Sequence, residues 1–72
     1  MKLSYLPFGS GRVKTCDAII TCEHSASSYG IPVVVLEDGN VVDKMSWMLL
    51  GYEVVEATVE ELKALRRAGF VD

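Results

Sequence analysis

Thr58-Val59-Glu60-Glu61-Leu62-Lys63-Ala64-Leu65-Arg66-Arg67-Ala68-Gly69-Phe70 is the stretch whose reading decides the fold. It opens with a T-x-x-E capping box. The Thr58 hydroxyl is placed to accept the Glu61 N–H, and the Glu61 carboxylate to reach back to the Thr58 N–H. It closes with Gly69, free to turn left-handed, and with Phe70, placed to fold back on Leu65. The spacing predicts a helix over 59–68. Val59, Leu62, Leu65 and Ala68 form its inward stripe, and Glu60, Lys63, Arg66 and Arg67 its outer face. Acids at the start and bases at the end complement the helix dipole. A one-sided helix of this kind needs an apolar surface to lie on.

The sequence before it reads as strands. Lys2–Phe8 alternates, with Leu3 and Tyr5 on one side and Ser4 and Leu6 on the other, and Pro7 near its end. Gly9-Ser10-Gly11 is a turn. Thr15–Glu23 fits a strand with Cys16, Ala18, Ile20 and Cys22 on one face. A helix would instead align Val13, Cys16 and Ile20. The β-branched run Ile19-Ile20-Thr21 favours the strand. Ser25–Gly30 is a loop. Ile31–Leu36 is apolar throughout, which suits a strand covered on both faces, with Pro32 at its start. Glu37-Asp38-Gly39-Asn40 is a hairpin turn leading to Val41-Val42. Asp43 caps a short helical turn, Lys44–Leu50, which Gly51 ends. Tyr52–Ala57 is a last strand, leading into the capped helix. The expected fold is one α+β domain: a small, mostly antiparallel sheet of three to five strands with one C-terminal helix packed on one face.

Composition limits the function. The chain has 72 residues, of which 50% are hydrophobic. A domain this small buries only roughly 60% of its unfolded surface. Either the core is unusually apolar or part of the apolar surface is covered by another chain. The net charge is −3 and unevenly placed. Residues 1–34 set Lys2, Arg12 and Lys14 against Asp17 and Glu23, a balance of +1. Residues 35–72 set four bases against eight acids, a balance of −4. An acidic chain lacks the footprint for binding nucleic-acid phosphates directly. No apolar run approaches the ~20 residues of a membrane span. The start, Met1-Lys2-Leu3-Ser4-Tyr5-Leu6-Pro7, reads as too short and too polar for a signal peptide. A cytoplasmic location, with no membrane association, is expected.

Candidate chemistry is sparse. Cys22 and His24 share a strand face about 6–7 Å apart, but Cys16 would stand about 20 Å from Cys22. A structural zinc site wants four ligands, and only Cys22 and His24 offer themselves. With His24 as its base, Cys22 would be a nucleophile lacking a visible oxyanion hole or orienting group. Gly9-Ser10-Gly11-Arg12 with Lys14 could form an anion nest, though it is not a P-loop. Glu53 and Glu56 face opposite ways on an ideal strand, while Glu60 and Glu61 belong to the helix start. The densest apolar group is Met45, Trp47, Met48, Leu49 and Leu50, which serves either as core or as an anchor patch.

No catalytic residue, cofactor or metal is therefore expected. The expected function is a non-catalytic interaction module, a homodimer or a binder of another protein. It would work through Met45, Trp47, Met48 and Leu50 or through a sheet edge. The alternative is an acidic inhibitor that mimics nucleic acid or blocks a basic groove, with Glu53 and Glu56 as its working acids. Ser27-Ser28-Tyr29-Gly30-Ile31-Pro32, an apolar strand and Asp38-Gly39-Asn40 together resemble small accessory proteins from phage or mobile elements. No family's motif matches these residues, and the inhibitor reading, a block on a basic groove of a host protein, rests on Glu53, Glu56 and the net charge.

Overall fold

The computed structural model describes residues 1–72. Seven elements follow in order: β1 (Lys2–Tyr5), β2 (Lys14–Thr21), β3 (Val33–Leu36), β4 (Val41–Val42), α1 (Lys44–Leu49), β5 (Glu53–Glu56) and α2 (Val59–Ala68). The strands form one antiparallel sheet in the order β4-β3-β2-β1-β5. β2 is the hinge between its halves. Lys14–Asp17 pair with β1, and Ala18–Thr21 pair with β3. Residues 15–21 are thus strand, as their alternation and β-branching require.

The α2 termini follow the local chemistry of their residues. The Thr58 hydroxyl accepts the Glu61 N–H at 3.1 Å, and Glu61 Oε1 accepts the Thr58 N–H at 2.9 Å. At the other end Gly69 has φ +86°. Phe70 N–H donates to the Leu65 carbonyl at 2.9 Å, and Gly69 N–H donates to that of Arg66 at 3.1 Å. This is a complete Schellman stop. The Asp43 carboxylate accepts the Ser46 N–H at 2.7 Å and starts α1. The expected hairpin turn closes through Leu36 and Asn40, with Gly39 at φ +90°.

The core comprises Leu3, Ala18, Val34, Val42, Trp47, Tyr52 and Leu65, with Ala68 buried beside it. An aromatic column runs through it. Tyr5 stacks on Tyr52 at 4.9 Å, Tyr52 on Trp47 at 5.5 Å, and Phe70 tilts against Trp47 at 5.0 Å. Phe70, expected against Leu65, therefore also closes over α1. Val59 differs from expectation: it stays exposed at the first turn of α2, and only Leu65 and Ala68 of the stripe are fully buried.

The other departure is on β3. Val34 faces the core, but Val35 faces away and pairs with Ile19 on one side and Val41 on the other. Ile19 and Val41 are both exposed. The chain itself covers only one face of this strand.

Thr58→Ala should lower stability by about 1 kcal/mol, read from urea unfolding. Hydrogen bonds from the Thr58 N–H and from the Met1 nitrogen hold the Glu61 carboxyl below the usual glutamate range. Its stabilisation is therefore fully present above the ordinary glutamate pKa. It should fade as pH falls through and below that range, and it should fade less in the Glu61→Gln variant.

Candidate apolar docking surface

α1 is six residues long, and its two faces have different fates. Trp47 is 8% exposed and sits in the aromatic column, with the half-buried Leu50 packed on the core beside it. Trp47 is thus a core residue and not an exposed anchor. A helix turn that directs 47 and 50 inward must direct 45, 48 and 49 outward. Met45, Met48 and Leu49 are accordingly between 64% and 76% exposed.

The end of β1 meets this outer face. Leu6 N–H donates to the Leu50 carbonyl at 2.9 Å. The chain then turns, with Ser10 N–H donating to the Pro7 carbonyl at 3.1 Å and Gly9 at φ +75°. Leu6, Pro7 and Phe8 are thereby set beside Met48, Leu49 and Leu50, walling a shallow groove of about 350 Å3. Phe8 is 79% exposed, more than Met48. Sequence reasoning left out Leu6 and Phe8, because their partner lies more than forty residues away. The apolar residues around Pro7 and the glycines after it were the only local signal.

The other candidates separate. Cys22 Sγ donates to the Gly30 carbonyl at 3.4 Å, and His24 Nδ1 accepts the Ala26 N–H at 3.0 Å. Each serves its loop, and no group of three metal-binding side chains is assembled. The Arg12 N–H that a nest would need is taken by Ser10 Oγ at 3.2 Å. Burial and the carboxylates of Glu37, Asp17 and Asp38 push the Cys16 thiol up.

Glu53 and Glu56 call for a correction. Glu53 lies opposite Ser4 and Glu56 opposite Lys2, with the register shifting between Leu3–Val54 and Lys2–Glu56. The extra residue, Val55, makes a bulge that turns Glu56 to the same outer face as Glu53. Lys2 also pairs with Asp17 on its far side, so the outer row alternates acid, base, acid. The sheet edges are poor docking sites. β4 has two paired residues, and β5 is bulged and carries both glutamates.

No protein-family model, no curated protein and no solved structure matches the chain. No helix is long and apolar enough to cross a membrane.

The two thiols should differ in reactivity. In native protein an aromatic disulfide reagent should titrate exposed Cys22 first and half-buried Cys16 much more slowly, with mass mapping to assign each. Equal rates would place Cys16 at the surface.

Proposed function

We propose that this chain is a non-catalytic interaction module that docks on another protein chain through Met45, Met48 and Leu49 of α1 together with Leu6 and Phe8. One observation carries the reading. The core is already closed around Trp47, yet five large apolar side chains stay exposed at one end of the molecule. Scattered apolar residues are ordinary on a surface, whereas a contiguous group beside a groove is the mark of an interaction site. Met and Phe are also residue types that supply much of the energy in such contacts.

The partner is a second copy or a different protein. Two free thiols, one of them exposed, fit work in a reducing compartment such as the cytoplasm. The acidic-inhibitor reading draws support from the shared outer face of Glu53 and Glu56. It is weakened by Lys2 standing between Glu56 and Asp17, which breaks any uniform phosphate-like row.

Peroxide footprinting tests the surface. In dilute monomer, Met45 and Met48 should oxidise at rates close to that of free methionine, and should be shielded when the partner face is occupied. Slow oxidation of both in the monomer would mean that the chain covers its own patch, and the reading would fail. Light scattering at micromolar concentration then separates the versions. A dimer lost in Met48→Ser, with unchanged circular dichroism, identifies a second copy as partner.

A further inference from the structure

The open face of the sheet holds a shallow hollow of about 210 Å3 between β2 and β3. Strand alternation decides what borders it. Ile19 and Val35 pair across the two strands and turn away from the core. Asp17 and Glu37, each two residues from one of them, turn the same way. Glu37 N–H donates to the Asp17 carbonyl at 3.0 Å, which carries the ladder one step past Leu36 and sets the two acids directly opposite each other. All four residues line the hollow, with the carboxylates at one end and the apolar side chains at the other. Val41 extends the apolar end beyond Val35. Like charges directly opposite on paired strands repel. Lys2 stands beside Asp17 on its far side, but it does not line the hollow, and the one ion pair of the structure joins the Met1 nitrogen to Glu61. Both acids are exposed.

We propose that this hollow receives an arginine or lysine side chain of another protein, from a segment in which apolar residues flank that cation. The aliphatic stem lies on Ile19 and Val35, the charged head stands between Asp17 and Glu37, and an apolar neighbour reaches Val41. The surface is separate from the α1 end, and the inference does not depend on the docking proposed there. Other occupants lack this match. A second copy laid two-fold over the hollow would bring four carboxylates together. An anionic bilayer is repelled by the same pair of acids. A divalent cation finds two carboxylates here and no third ligating side chain.

The test titrates the isotope-labelled full chain, followed by amide chemical shifts, with short peptides that place Arg, Gln or Glu between two valines. The Arg peptide should bind at least about tenfold tighter than the Glu peptide at low salt, with the advantage shrinking as salt rises. Its shifts should fall on Asp17, Ile19, Val35 and Glu37. Asp17→Asn with Glu37→Gln should abolish the preference and should unfold at no lower urea concentration than the parent, since it relieves a repulsion. Ile19→Ser should weaken the Arg and Gln peptides alike. Equal affinities, a preference that survives in the double variant, or no binding at millimolar peptide would overturn the proposal. Loss of stability in the double variant would make the two acids part of the fold and would overturn it too. So would calcium ion that displaces the Arg peptide at constant ionic strength and shifts the same amides. Shifts confined to Leu6, Phe8 and Met48 would also overturn it, while leaving the interaction module at the α1 end standing.

Discussion

Trp47 lies between Tyr52 and Phe70, and much of the molecule is arranged by that contact. Tyr52 immediately precedes β5 and also stacks on Tyr5 at the end of β1. Phe70 is delivered by the left-handed stop of α2. One column of rings therefore joins the sheet, the short helix and the end of the long one. Aromatic side chains bury 150–250 Å2 each, a large share for a core with so few fully buried residues. The column also fixes the rotation of α1. With 47 and 50 drawn inward, the turn has no means of hiding 45, 48 and 49.

The exposed face thus follows from the core. A six-residue helix is too short to stand alone in water, so packing decides its orientation. The hydrogen bond from Leu6 to Leu50 then carries the end of β1 against it and adds Leu6 and Phe8 to the same surface. Elsewhere the molecule guards its sheet edges. Its edge strands are short, or bulged and charged, and its outer sheet face beside β5 alternates in sign. The apolar row Ile19–Val35–Val41 is a second open area. The hollow beside it is lined by Asp17 and Glu37 as well as by Ile19 and Val35.

Features encoded within a few residues were legible in the sequence. The capping box at Thr58 and Glu61, the Asp43 cap, the Asp38-Gly39 turn and the strand character of 15–21 depend on neighbours only, and each stands where the residues placed it. Features set by distant partners were not. The Val55 bulge that turns Glu56 beside Glu53 depends on how β5 meets β1. The uncovered side of β3 depends on which face α2 chooses, and Val59 is left out because α2 reaches the core only with its later turns. The site was half legible: Met45 and Met48 could be named, the role of Trp47 could not be decided, and Leu6 and Phe8 join through a contact that no local pattern announces.

The central claim is that Trp47 belongs to the core of a single copy while the opposite face of α1 remains open. Trp47 is the only tryptophan in the chain, so quenching of its fluorescence by iodide in dilute monomeric protein reports on it alone. Weak quenching, rising to that of a free indole only on unfolding, is the expected result. Strong quenching in the folded monomer would place the ring at the surface and undo both the core and the open apolar face built on it.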